Sequence, residues 1–142
     1  MKPAGKRTKM ETTMQHFYAI VHKDEDSAFG VEFPDLPGCY SAADDLEDVP
    51  AKAREALSLW FEDQEATQPR PLADIRAEAA EALAAGAFLI AVPHIARSGR
   101  VVRVNVSIDE GLLSAIDHAA KQRKQTRSAF LANAASETLE TA

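Results

Sequence analysis

His16 to His22 is a short apolar run rich in strand-forming residues. A polar turn follows, Lys23-Asp24-Glu25-Asp26-Ser27, and then a second run, Ala28 to Phe33. In that run Phe29, Val31 and Phe33 share one face, and Gly30 and Glu32 the other, as the two-residue period of a strand requires. Two such runs joined by five residues predict a β-hairpin. Pro34-Asp35-Leu36-Pro37-Gly38 ends the second strand, because proline cannot donate to a ladder and glycine tolerates a turn. Cys39 to Ala42 reads as a third short strand. Over Leu46 to Gln64 the period changes. Val49, Ala53, Ala56, Leu57, Trp60 and Phe61 recur at three- and four-residue spacing and predict an amphipathic helix. Pro50 fits only a first turn, so the regular helix is expected to begin near it, with Asp48 close to the cap. Gln68-Pro69-Arg70-Pro71 breaks the chain. Leu72 to Ala85 is a second helix stopped by Gly86. Ala87 to Val92 is continuously apolar and reads as a central, buried strand. Pro93 to Gly99 reads as a linker. The order is β-β-β-α-α-β, with an expected core of Phe17, Ala19, Val21, Val31, Phe33, Leu57, Trp60, Phe61, Phe88 and Ile90.

Beyond the linker the pattern restarts. Val102, Val104, Val106 and Ile108 alternate with Arg103, Asn105 and Ser107, so one strand face is wholly apolar and the other wholly polar. Asp109 is placed to cap a helix from Glu110 to about Arg123, carrying Leu112, Leu113, Ile116, Ala119 and Ala120. Thr126 is placed to cap another, from Arg127 to Leu139. One strand and two short helices cannot bury enough surface to stand alone. A second copy resolves this. Two strands would pair as an antiparallel ribbon over four helices and present Arg103, Asn105 and Ser107 twice. A two-stranded ribbon fits the major groove, where Arg can read guanine and Asn adenine. The start of the last helix, with Thr126, Arg127 and Ser128, offers amide groups and a cation to a phosphate.

Charge sharpens the division. The chain carries −6 overall, yet residues 1–96 hold 9 Lys+Arg against 17 Asp+Glu, and residues 97–127 hold 7 against 3. A basic segment in an acidic chain matters more for phosphate than the global sum. The acidic part repels nucleic acid and suits a basic partner, for which Asp24, Glu25, Asp26, Glu32 and Asp35 are the candidate contacts. Residues 1–13 read as a flexible basic arm with no secretory core, and no apolar run approaches the length of a membrane span. One cysteine, Cys39, precludes an internal disulfide and fits a reducing cytoplasm; after a turn, it reads as packed. Neither a metal-ligand cluster nor a Gly-rich phosphate loop is present, so no cofactor is expected. His16 and His22 share one face of the first strand without partner ligands. His94, in the linker, and His118, on a helix, read as solvated.

The segments VRVNVSIDEGLLSAIDHAA and TRSAFLANAA resemble the ribbon-helix-helix repressor superfamily. Lys124 departs from it, standing where that superfamily usually has glycine, and lysine is less comfortable in a left-handed conformation. The segment YAIVHKDEDSAFGVEFPDLPGCYSAADD, with AREAL after it, resembles the HicB family of antitoxins; Phe33 to Cys39 is its most specific part. Pro50 departs from that family's usual Glu-Glu-Ala helix start. The resemblance spans residues 16–139. It implies an α+β chain in which residues 14–96 form a truncated ribonuclease H-like β-β-β-α-α-β domain. Residues 97–142 would form a dimeric ribbon-helix-helix module. It implies a HicA-type mRNA-cleaving toxin as partner, operator DNA as target, and repression of the chain's own operon. A homodimer is expected, and a homotetramer if both domains self-associate. Two rivals stand beside this reading: a repressor whose first domain senses a ligand or drives oligomerisation, and a metal-dependent nuclease. The nuclease needs carboxylates converging on a metal, and the acids here lie in or beside turns.

Overall fold

The computed structural model describes residues 14–141; the amino-terminal arm lies outside them. The chain divides into two compact units meeting at Ala96 and Arg97.

In the first unit, β1 (Met14–Lys23), β2 (Phe29–Glu32), β3 (Tyr40–Ala43) and β4 (Phe88–Ile95) form one antiparallel sheet in the order β3-β2-β1-β4. A 3-10 turn, Leu46–Asp48, leads into α1 (Val49–Glu62), followed by α2 (Leu72–Glu78) and α3 (Ala80–Ala84). Pro50 sits in the first turn of α1, where no intrahelical donor is lost. Asp48 occupies the cap position without a side-chain cap hydrogen bond. Val49, Ala53 and Leu57, spaced by four, are the buried residues of α1. They pack with Phe17, Ala19 and Val21 of β1, Val31 of β2 and Val92 of β4. Trp60, Phe61 and Ile90 are only partly buried against this core, and Phe88 is 37% exposed.

Leu36 and Cys39 join the same core, although they belong to a loop. The Phe33–Cys39 segment folds back on itself: the Leu36 amide donates to the Phe33 carbonyl (3.0 Å), and the Cys39 amide to the Leu36 carbonyl (2.9 Å). Gly38 takes a φ of +93°, a conformation an L side chain resists. Trp60 Nε1 donates to the Pro37 carbonyl at 3.4 Å. A second tie comes from Arg70, whose amide donates to Asp35 Oδ2 at 2.9 Å and whose Nε pairs with Asp35 Oδ1. Its Nη1 reaches Glu78 at 2.8 Å. Its hydrogen bonds to Glu78 and Asp35 push the guanidinium further above its already high ordinary value.

Three expectations change here. Among the described residues the apolar run beginning at Ala87 is an edge strand, paired only with β1, and one-sided burial explains its half-exposed pattern. It also runs on through Pro93 and His94. Proline is tolerated because an edge strand does not need every donor. His94 is therefore not a linker residue: its ring stacks on Phe61, with centroids 4.2 Å apart and planes at 19°. The helix expected over residues 72–85 is interrupted at Ala79, where ψ opens to 6°. The i→i−4 ladder nonetheless continues across it, from the Ala79 amide to Ile75 (2.9 Å) and from the Leu83 amide to Ala79 (2.9 Å).

The second unit contains α4 (Glu110–Gln122) and α5 (Arg127–Thr141). Asp109 Oδ2 accepts from the Leu112 amide (3.0 Å) and Thr126 Oγ1 from the Ala129 amide (3.1 Å), so both expected caps are made. Between the helices Lys124 has a φ of +57°. The Gln125 amide reaches back to the Ala120 carbonyl (2.8 Å) and the Lys124 amide to Lys121 (3.0 Å). That paired closure of a helix end needs a left-handed residue, usually glycine.

Two stability-related outcomes follow from these contacts. Burial pushes the Cys39 thiol up to about 11, and its Sγ lies 3.6 Å from the Ala56 carbonyl. Cys39 should react with a thiol reagent at neutral pH far more slowly in the native protein than in denaturant; equal rates would mean the loop does not hold it. Lys124→Gly should raise stability by about 1 kcal/mol by relieving the left-handed lysine. An unchanged or lower midpoint in chemical denaturation would count against that conformation.

Candidate nucleic-acid interface and acidic turn

Residues 101–108 form no ladder with any other described residue. Val102, Val104 and Val106 are 68%, 76% and 67% exposed, and Arg103, Asn105 and Ser107 between them are exposed too. Only Ile116 and Ala120 of the described residues in this unit are buried, while Leu112 and Leu139 stand open. Residues 101–108 and both helices therefore present apolar surface that a single copy leaves in water.

The polar groups near the start of α5 are arranged differently from the simplest expectation. Thr126 is the cap, and Ser128 is exposed. Arg127, read from the sequence as a phosphate cation, is already engaged. Its Nε and Nη2 donate to Asp117 Oδ1 and Oδ2, both at 2.9 Å, a two-pronged bond that ties α5 to α4. The hydrogen bond from Arg127 holds the Asp117 carboxyl below its ordinary value, so the tie persists above the usual carboxylate range and is lost only when pH falls through that lowered value. Both groups lie at the surface, where such a pair adds little stability but still fixes geometry. Arg123 lies over the Phe130 ring, 5.5 Å from its centroid.

In the first unit, Asp24, Glu25 and Asp26 are exposed in the β1–β2 turn. Lys23 Nζ donates to the carbonyls of Asp24 (3.0 Å) and Ser27 (2.6 Å), bracing the turn. Asp26 takes a φ of +59°, which a short polar side chain tolerates. Glu32 lies on the outer sheet face, 2.8 Å from His22 Nε2. Asp35 is different. Its side chain is 5% exposed and held by Arg70, so it is not the solvated turn carboxylate expected. A proline-flanked arginine 35 residues away is not a partner that local spacing can find. Among the described residues, no group of three or more His, Cys, Asp and Glu could hold a metal ion, and no helix is long and apolar enough to cross a membrane.

The chain is 32% identical to the antitoxin HicB of Burkholderia pseudomallei, whose crystal structure matches 88% of this chain and 96% of that one with a TM-score of 0.48. The antitoxin HicB3 crystal structure shares the fold at 24% identity and a TM-score of 0.50, covering 87% and 97% of the two chains. An uncharacterised 14.9 kDa protein from the rep-hol intergenic region of Haemophilus phage HP1 is 27% identical over 130 residues, 86% of this chain and 96% of that one. Residues 17–135 match the model of the HicB-like antitoxins of bacterial toxin-antitoxin systems. The α+β chain with its four-stranded antiparallel sheet thus belongs to the HicB-like antitoxin family.

Proposed function

We propose that this chain neutralises a HicA-type mRNA-cleaving toxin through residues 14–96 and represses its own operon through residues 97–142. In this reading the first unit is a truncated ribonuclease H-like domain, and the second pairs with its copy as a ribbon-helix-helix dimer in the cytoplasm. Its work is binding, without a cofactor. Family membership supports the antitoxin role. The observation that carries the DNA-binding half is the exposed alternation of Val102, Val104 and Val106 with Arg103, Asn105 and Ser107. Pairing with a second copy would cover the valines and complete the ladder, leaving the polar residues outward in a ribbon of groove-filling width. Thr126 and Ser128 then flank a helix start suited to a phosphate. Asp24, Glu25 and Asp26 form the acidic surface offered to a basic toxin, with Glu32 beyond them on the sheet. Asp35 leaves that set because its carboxylate is engaged within the chain.

Arg103→Ala or Asn105→Ala should weaken binding to the DNA upstream of the chain's own gene by about 1–3 kcal/mol per base contact removed, with the dimer intact. Fluorescence anisotropy alongside sedimentation measures both. Unchanged affinity would remove the segment from the reading surface. The combined change Asp24→Lys, Glu25→Lys and Asp26→Lys should slow association with a HicA-type toxin several-fold at low salt, more than it speeds dissociation. An unchanged association rate in stopped flow would take the acidic turn out of the encounter.

A further inference from the structure

Arg97, Ser98, Gly99 and Arg100 open the second unit, and all four are exposed. They lie in neither helix nor strand, and among the described residues no backbone–backbone hydrogen bond holds them. The Arg100 amide donates to Ser98 Oγ at 3.1 Å, a bond within the segment itself. Gly99 has a φ of +82°, and a Cβ built there would meet nothing within 4 Å beyond its chain neighbours. Nicking by proteases concentrates where the backbone is exposed, unbonded and lined by small or polar side chains. Cleavage within a helix or a ladder first needs local unfolding. Most other described lysines and arginines sit in helices, in β1 or in the hydrogen-bonded closure of α4. Arg70 is held through both its amide and its guanidinium. Arg103 is open in a single copy, but pairing of residues 101–108 would take it into a ladder. Of the two arginines in the opening segment, Arg97 already donates from Nη2 to Ser136 Oγ at 2.9 Å. Among the described residues the Arg100 side chain forms no hydrogen bond or ion pair.

We propose that this segment is a processing site, at which an endopeptidase specific for arginine cuts the chain first after Arg100. A free guanidinium suits a protease whose specificity pocket carries a carboxylate. Water adds across the Arg100–Val101 peptide bond, leaving a carboxylate on Arg100 and an amine on Val101. One product, residues 1–100, keeps the whole sheet unit and its acidic turn; the other, residues 101–142, keeps the alternating segment and both helices. No buried residue lies within the segment, so the cut opens neither core. On the function proposed above, on which this consequence rests, a single hydrolysis separates toxin neutralisation from operator binding and leaves both working.

Brief digestion of the intact chain with trypsin at a low enzyme ratio, read by mass spectrometry, tests the site. The first carboxy-terminal product should be residues 101–142. Arg100→Gln should lose that product without moving the unfolding midpoint, because the residue is exposed, and Arg97→Gln should keep it. A first cut inside a helix or the sheet overturns the site. A first cut after Arg103 overturns it too, and counts against the paired ribbon. The quenched digest is then mixed with a HicA-type toxin and with the DNA upstream of the gene. Residues 1–100 should co-elute with the toxin, and residues 101–142 should retard the DNA. Loss of either activity on cutting overturns the separation. An uncut chain that binds neither partner overturns the proposed function instead, and the cleavage map stands without it.

Discussion

Val49, Ala53 and Leu57 lie one turn apart along α1, and the inner face of the sheet meets them with Phe17, Ala19, Val21, Val31 and Val92. The rest of the first unit is arranged around that contact. The Phe33–Cys39 loop closes one end of it by burying Leu36 and Cys39. Arg70 then fastens the proline-rich segment to the loop through Asp35 and to α2 through Glu78. Deleting one large side chain from such a core costs about 2–5 kcal/mol, a sizeable part of the 5–15 kcal/mol that holds a typical domain together. With its inner face so committed, the unit has its outer sheet face and its acidic turn available for partners.

The second unit is built on the opposite principle. Its caps and its Asp117–Arg127 bond define two helices well, yet very little of it is buried. Burying a valine fully is worth roughly 1.5–3 kcal/mol, so covering Val102, Val104 and Val106 is a substantial drive toward association. Local bonds set the shape of this unit, while most of its apolar side chains stay in water in a single copy.

Sequence pattern revealed much of this because much of it is local. The hairpin, the α1 stripe, Pro50 in a first turn and the caps at Asp109 and Thr126 each depend on residues within a few positions of one another. What escaped depends on distance or on context. An apolar run looks alike whether a strand lies at the centre or the edge of a sheet, so the place of β4 was not legible. His94 was misplaced for the same reason, since its ring partner Phe61 lies on α1. Asp35 and Arg127 kept their chemical identity but found partners that spacing does not announce. Lys124 was visible as a departure from glycine, and the structure adds that the backbone keeps the glycine-like conformation all the same.

The position of Pro93 has a consequence for assembly. Pro93 lies in an edge strand, and proline has no N–H to offer a ladder, so it is among the residues that make an edge a poorer template for a further strand. A chain that carries both exposed valines and an unpaired sheet edge risks linking copies without limit. A blunted edge favours a closed, countable assembly over a filament.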